Sequence, residues 1–144
     1  MGRVKIKFPS EKPLFTTNIR VLISDINYGN HLGNDAVLSM IHEARMQLLG
    51  SWGYTELDAG GCSLIMRDTE IAYRGEAFYG DLLQVDIFAE LTGPRSFDLY
   101  YWIRTTRKEQ EYDIVHARTG MVAFDYAERK TIEISEGLKS KLLL

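Results

Sequence analysis

The chain has 144 residues, of which 45% are hydrophobic and 26% are charged, and its formal net charge is −3. This length and composition are typical of one folded globular domain and exclude a disordered chain. The slightly acidic balance argues against nucleic acid as a partner, and no apolar run has the roughly 18 residues that a membrane span needs.

Cysteine and histidine usage restricts the chemistry further. Cys62 is the only cysteine, so no internal disulfide can form, and we expect a reducing, cytoplasmic location. We interpret it as a small buried hydrophobic residue and not as a nucleophile. The three histidines, His31, His42 and His116, lack the spacing of zinc ligands, so we predict no metal.

The first third of the chain predicts a strand, a polar loop and one helix. Leu14 to Ser24 is rich in β-branched residues and predicts a strand, and the loop over residues 25–33 follows it. Asn34 is a good N-cap residue, and Gly50 and Gly53 mark the end of the predicted helix. Helical spacing of apolar residues indicates one buried face, made of Val37, Met40, Ile41, Ala44 and Leu48.

After the helix the apolar period changes to two, which indicates strands. The predicted strands cover Leu64 to Tyr73, Leu83 to Leu91, Phe97 to Ile103 and Ile114 to Tyr126. Gly120, in the last of them, indicates a bulge or a close approach. Strands in hairpin succession after one long helix predict an α+β domain whose antiparallel sheet curls around that helix.

The loop and helix carry a family resemblance. DINYGNHLGN, from Asp25 to Asn34, followed by Glu43-Ala44-Arg45, is similar to the pattern D-x-D-x-x-G-H-x-x-N-x-x-Y-x-x-x-x-E-x-x-R of hotdog-fold thioesterases of the 4-hydroxybenzoyl-CoA and acyl-CoA thioesterase superfamily. The later stretches IAYRGEAFYGDLLQVDIFAE, GPRSFDLYYWI and ARTGMVAFDYAERKTIEIS also resemble strands of that family. The resemblance implies one hotdog domain over residues 1–144, with about five curled strands around one long central helix.

One departure from the family pattern concerns the chemistry. Many members have an acid as nucleophile or general base where this chain has Asn27, and an amide can serve as neither. The glycine that usually precedes the histidine is replaced by Asn30, with Gly29 one residue earlier.

The resemblance implies an acyl-CoA thioesterase that hydrolyses an acyl- or aryl-coenzyme A. Thioester hydrolysis needs stabilisation of an oxyanion and an activated water or carboxylate. The N–H groups and dipole of the helix N-terminus, near Gly33 and Asn34, would stabilise the oxyanion. Asn27 and His31 would position the reactants, and His31 would either donate to the thioester carbonyl or orient the loop.

Three sources could supply the missing acid. We expect Glu43 to be partly buried at the edge of the helix face and to activate water, unless it pairs with Arg45 or with another subunit. Asp25 matches the first acid of the pattern, which usually stabilises the loop, and is the second candidate. Asp68 and Glu70 on the next strand are the third.

The arginines of the chain suggest contacts to the substrate, and the resemblance implies the partners. Tyr73-Arg74 and Arg95-Ser96 are candidates for binding coenzyme A, because guanidinium groups suit its phosphates. Coenzyme A is part of the substrate, so no separate cofactor is predicted. Family members join sheets edge to edge, which implies a homodimer or a dimer of dimers. The alternatives are a non-catalytic acyl-CoA binding protein and, third, a hotdog dehydratase.

Overall fold

The protein folds as one antiparallel sheet packed against one long helix. The computed structural model describes residues 3–144. In chain order the elements are β1 (Phe15–Arg20), α1 (Asn34–Ser51), β2 (Ser63–Tyr73), β3 (Leu82–Leu91), β4 (Ser96–Arg107), β5 (Gln110–Asp125), β6 (Lys130–Thr131) and α2 (Glu136–Leu142).

The strands form one sheet in the order β1-β3-β4-β5-β2, and the two-residue β6 pairs with the end of β5. All pairs are antiparallel. β1 and β2 stand first and last in this order, so they are the edge strands of the sheet. The predicted α+β architecture is confirmed, with one short strand more than the five expected. The edge strand β2 runs beside α1, and residues of both elements line one cavity.

One face of α1 forms the centre of the core. The five residues predicted for the buried face of the helix are all at most 4% exposed: Val37, Met40, Ile41, Ala44 and Leu48. They belong to one hydrophobic cluster with alternate residues of the strands, among them Ile87, Leu99 and Ala117. Burial of these side chains holds the helix on the concave side of the sheet.

The start of α1 differs from the prediction. The N-cap is Gly33, with extended backbone at φ −74° and ψ 147°, and Asn34 is the first helical residue, so its predicted capping role is wrong. No side chain caps the helix at this position. The helix continues through Gly50, and Gly53 follows its end with a φ of +77°, which favours glycine.

Strand boundaries also moved where the chain turns early. β1 ends at Arg20, because Ile23–Asp25 form a 3-10 turn, so the strand is shorter than the predicted Leu14 to Ser24. The close approach predicted at Gly120 is confirmed. A Cβ at that position would lie 2.2 Å from Oδ1 of Asp68, at a register shift of β2.

An N-terminal segment covers part of the outer face of the sheet. The ring of Phe8 stacks on Trp102 with centroids 5.8 Å apart, and it meets Phe88 and His116 at 5.1 Å each. This aromatic cluster lies on the face of the sheet opposite α1.

Candidate active site

The loop before α1 is folded by its own backbone. Asn27 N–H donates to His31 O at 3.0 Å, and Asn30 N–H donates to Asn27 O at the same distance. The side-chain oxygen of Asn27 accepts from Gly29 N–H at 2.9 Å, and Asn30 takes the turn at a φ of +64°. Asn27 therefore uses its side-chain oxygen to shape this turn.

This loop decides which N–H groups remain open at the helix N-terminus. Leu32 N–H donates to Ala77 O at 2.7 Å, and Gly33 N–H donates to Asp25 O at 2.9 Å. The N–H groups of Asn34 and Asp35 make no hydrogen bond within residues 3–144. These two N–H groups are free at the positive end of the helix dipole, where negative charge is favoured.

Asp25 stabilises the loop, as the first acid of the pattern is expected to do. Its Oδ2 accepts from Leu22 N–H at 2.8 Å, and its carbonyl oxygen holds Gly33. The carboxylate closes the 3-10 turn and is committed to the backbone of its own segment.

A cavity of about 280 Å³ opens at the N-terminus of α1 and brings four predicted residues together. His31, Asn34, Tyr73 and Arg74 all line it, with Glu76 beside them. The hydroxyl of Tyr73 donates to Asn34 O at 3.3 Å. Polar side chains of this cavity lie beside apolar ones, among them Leu32, Val37 and Ile114.

The ring of His31 is oriented by the backbone. Its Nδ1 lies 3.0 Å from Leu32 O, and because a carbonyl oxygen only accepts, Nδ1 carries a proton. The other nitrogen, Nε2, is then an acceptor in the neutral ring, and it lies against the turn at Gly29. The hydrogen bond from Nδ1 to Leu32 O lets His31 orient the loop.

Glu43 does not occupy the environment expected of it. The residue is exposed, and its Oε2 accepts from Gln47 Nε2 at 2.7 Å. The predicted partial burial is wrong within this chain, and so is the alternative ion pair with Arg45. Residues two apart on a helix point in different directions, and Arg45 turns inward to Glu56.

Asp68 and Glu70 lie away from the helix. Both carboxylates bind the guanidinium of Arg118, at 3.2 and 2.7 Å, on the outer face of the sheet. Although burial lowers the pKa of Arg118, hydrogen bonding to Glu70 and the charge of Asp98 raise it above its usual value. These acids therefore form an ion-pair network with Arg118 on the surface, and neither of them lines the two cavities next to α1.

The two predicted arginine pairs lie far apart within one chain. Tyr73 pairs with Val115 of β5, whereas Ser96 pairs with Val122, so roughly 23 Å of strand separates the two sites. Arg74 lies 3.9 Å from Asp113 at the N-terminal cavity. Arg95 donates to Thr131 Oγ1 at 3.4 Å near β6.

A second cavity, of about 500 Å³, runs along α1 beside β2. It contains a group of polar side chains that was not predicted from the sequence. His42 Nε2 lies 2.6 Å from Glu56 Oε1, and Arg45 Nε donates to Glu56 Oε2 at 3.0 Å. Arg45 is only 5% exposed although it is charged.

The inner end of this group reaches the core. Arg45 Nη1 donates to the hydroxyl of Tyr101 at 3.3 Å, and that hydroxyl lies 2.8 Å from Thr119 Oγ1. Burial lowers the pKa of Arg45, but Tyr101 and Glu56 outweigh it and raise the pKa overall. Burial raises the pKa of Tyr101 in turn, so Arg45 stays charged and Tyr101 neutral.

One signal in the sequence points to this group. Arg45 falls on the apolar face of α1, one turn after Ile41 and one turn before Leu48, and a charge there requires a partner. Glu56 lies outside any periodic segment, in the stretch between α1 and β2, so its role could not be predicted from spacing.

Comparison with known proteins places the chain in a family. Residues 21–142 match the family model described as the thioesterase-like superfamily. The chain belongs to the thioesterase-like superfamily. The predicted family and the predicted thioester hydrolase activity are thereby confirmed. No curated protein matches this thioesterase with significance.

Solved structures confirm the hotdog fold of the thioesterase. A 1,4-dihydroxy-2-naphthoyl-CoA thioesterase from Synechocystis superposes with a TM-score of 0.79 at 22% identity, covering 90% of this chain and 95% of that one. A gentisyl-coenzyme A thioesterase gives 0.74 at 12% identity, covering 89% and 99%. A thioesterase-superfamily protein from Jannaschia gives 0.78 at 14% identity, covering 90% and 80%.

The described part of this thioesterase, residues 3–144, contains no helix that is long and apolar enough to cross a membrane.

Proposed function

We propose that the protein hydrolyses the thioester of an acyl- or aroyl-coenzyme A at the N-terminus of α1. The observation that carries this proposal is the pair of open N–H groups at Asn34 and Asp35. Asn34 lines the cavity that also holds Tyr73 and Arg74, and Asp35 lines the neighbouring cavity of about 500 Å³. Two structural neighbours are named as aroyl-CoA thioesterases, which supports this substrate class.

The two N–H groups would bind the carbonyl oxygen as it becomes an oxyanion. Donors fixed by the fold at the place where charge develops stabilise the transition state more than the ground state. Asn27 would hold the loop geometry, Gly33 would let the substrate approach the backbone, and His31 would fix the loop from its Nδ1. Arg74 would contact the phosphates of coenzyme A.

A homodimer joined through β2 is part of the proposal. β2 has eleven residues and no neighbour on its outer side within the described chain, and such an edge is a ready template for pairing. The proposed location is the cytoplasm, supported by the single buried Cys62.

The test is thiol release from a panel of short-, medium- and long-chain acyl-CoAs and aroyl-CoAs. Release from at least one member, saturating with substrate concentration, supports the proposal. Binding without release across the panel would favour the second candidate, a non-hydrolysing acyl-CoA binding protein. Asn27 in place of the usual acid and the exposed position of Glu43 are the observations that favour this second candidate.

A further inference from the structure

We propose that His42 is the general base that activates water in this thioesterase, with Glu56 as the residue that positions its ring. The inference rests on the proposed function and deepens it, because the acids considered from the sequence are exposed, committed to the loop or on the other face of the sheet. It further assigns the site to two subunits, with His42 acting at the α1 N-terminus of the partner.

The hydrogen bond to Glu56 fixes the proton of His42. A carboxylate accepts hydrogen bonds and cannot donate them, so the ring nitrogen that lies 2.6 Å from Glu56 Oε1, Nε2, carries a proton. Nδ1 of the neutral ring then has its lone pair available, and Nδ1 makes no hydrogen bond within residues 3–144. A neutral imidazole with one free nitrogen and a carboxylate on the other can accept a proton from water.

Glu56 is itself held in place by two hydrogen bonds. Its second oxygen, Oε2, accepts from Nε of the buried Arg45, and its carbonyl oxygen accepts from Leu64 N–H at 2.7 Å. Arg45 is anchored in turn on the hydroxyl of Tyr101. The chain of contacts leaves Oε1 to orient His42 and to stabilise the imidazolium that forms when the ring takes a proton.

The surroundings of His42 suit a substrate. The side chain is 55% exposed and lies in the cavity of about 500 Å³, so water and a ligand can reach it. Leu38, Leu64 and Met66 give the cavity an apolar wall, and Ser39 lies on the helix beside them. An acyl or aroyl group can pack against this apolar wall, and the thioester would then lie next to His42 and Glu56.

His42 lies two turns of α1 away from the open N–H groups of its own chain, although Asp35 lines the same cavity as His42. Eight residues of helix separate Asn34 from His42, which is a distance of about 12 Å along the axis. Proton transfer requires contact between His42 and the attacking water, and we assign the oxyanion donors next to that water to a second chain.

The relation between α1 and β2 shows how a second chain supplies it. The Tyr73 end of β2 is bonded to Asn34, whereas Leu64 and Met66 line the same cavity as His42, so the strand and the helix run in opposite directions. Antiparallel pairing of two β2 strands about a twofold axis near mid-strand places the Tyr73 end of one chain beside the Leu64 end of the other. The N-terminus of α1 then faces His42 of the partner subunit.

The reaction step balances with these groups alone. His42 Nδ1 takes a proton from water as the water oxygen bonds to the thioester carbon, and the carbonyl electron pair moves onto oxygen, held by the N–H groups of Asn34 and Asp35 in the other subunit. When the carbonyl reforms, the C–S bond breaks, and the imidazolium returns the proton to the sulfur. The products are the carboxylic acid and the free coenzyme A thiol.

The first experiment compares His42 variants on an acyl-CoA that the wild type hydrolyses. We expect His42→Ala to lower kcat by about 100-fold or more with little change in KM, and added imidazole to restore part of the rate. His42→Gln can still bond to Glu56 but cannot take a proton, so we expect it to stay inactive. The matched control is His116→Gln on the outer face, with wild-type kcat and no response to imidazole.

A second pair of variants tests the positioning role of Glu56. Glu56→Gln should lower kcat and leave KM unchanged, and Glu56→Asp should recover part of the loss because it retains the carboxylate. A purely structural role would instead lower stability and leave the kcat of the folded fraction unchanged.

The third experiment tests the two-chain arrangement by complementation. His42→Ala and Asn34→Pro chains with different tags are co-expressed, and the mixed dimer is isolated through both tags. A site shared between chains leaves one of two sites intact, so we expect about half of the wild-type activity from two nearly inactive parents. A mixed dimer as inactive as its parents would overturn the shared site.

The remaining outcomes separate this inference from the proposed function. Wild-type thiol release with an unchanged kcat in His42→Ala overturns the inference and leaves the function standing. Loss of activity in His31→Ala but not in His42→Ala assigns the base to His31 and also overturns it. A wild type that releases no thiol from any member of the panel overturns both.

Discussion

The hydroxyl of Tyr73 donates to the carbonyl oxygen of Asn34 at 3.3 Å and so joins the last residue of β2 to the first residue of α1. This contact closes one side of the N-terminal cavity and fixes the direction of the edge strand relative to the helix. Tyr73 remains 52% exposed, so a ligand in the cavity can cover it.

Substitution of Tyr73 separates its ring from its hydroxyl. Tyr73→Phe loses one exposed hydrogen bond and should cost at most about 1 kcal/mol of unfolding free energy. Tyr73→Ala also removes the wall of the cavity, so we expect a clear rise in KM for acyl-CoA that Tyr73→Phe does not show. Steady-state kinetics of both variants check this, and equal KM values would contradict a role of the ring in binding.

Arg45 should be among the costliest residues of α1 to truncate. Arg45→Ala leaves the buried Tyr101 hydroxyl and the Glu56 carboxylate without their cation and opens space in the core, so we expect a loss of about 2 to 4 kcal/mol. Arg45→Met keeps most of the packing and should cost less. Urea unfolding of both variants measures the difference, and a loss under about 0.5 kcal/mol in Arg45→Ala would contradict the role of Arg45 as an anchor.

Substitution by alanine is expected to have opposite effects on stability at two glycines, Gly75 and Gly50. A Cβ at Gly75 would lie 2.4 Å from the backbone oxygen of Asp113, so Gly75→Ala forces the chain to move and should cost about 1 to 3 kcal/mol. Gly50 lies exposed in α1 with no atom within 4 Å of a Cβ, so Gly50→Ala should stabilise by about 0.5 to 1 kcal/mol. Thermal unfolding measures both, and a shift of the same sign in the two variants would refute this packing argument.

The acids proposed from the sequence now carry a different expectation. Glu43 is exposed and bonded to Gln47, and Asp25 accepts from the backbone of Leu22. Asparagine at position 25 can still accept that hydrogen bond, so we expect kcat close to wild type for both Glu43→Gln and Asp25→Asn. Loss of a general base costs about 100- to 10,000-fold. A fall of that size in either variant would return the base to that acid.

Helical and strand periods made most of the fold predictable. The spacing of Val37, Met40, Ile41, Ala44 and Leu48 identified the buried face of α1 correctly, because only one side of this helix meets the sheet. The start of α1 was predicted one residue too late, with Asn34 and not Gly33 as the N-cap. Gly33 takes the cap position because its amide bonds back to Asp25, a contact across eight residues that no local preference of Asn34 reveals.

The site was predictable where it depends on local order and not where it depends on contacts distant in sequence. His31, Asn34, Tyr73 and Arg74 do meet in one cavity, since the loop motif and the end of β2 both approach the helix N-terminus. Glu43 was favoured because it is an acid on the helix. The acid that lines the cavity of about 500 Å³ is Glu56, thirteen residues later, because it forms an ion pair with the buried Arg45.

The most direct test of thioester hydrolysis at the α1 N-terminus is the kcat of Asn34→Pro against Asn34→Ala. Proline is tolerated at the first helical position, and the extended backbone of Gly33 accepts a following proline, so the variant removes one N–H group and keeps the fold. We predict a fall in kcat of about 100-fold or more for Asn34→Pro, as for the loss of an oxyanion donor, and near wild-type kcat for Asn34→Ala. Equal kcat values in the two variants, with both folded, would contradict the account.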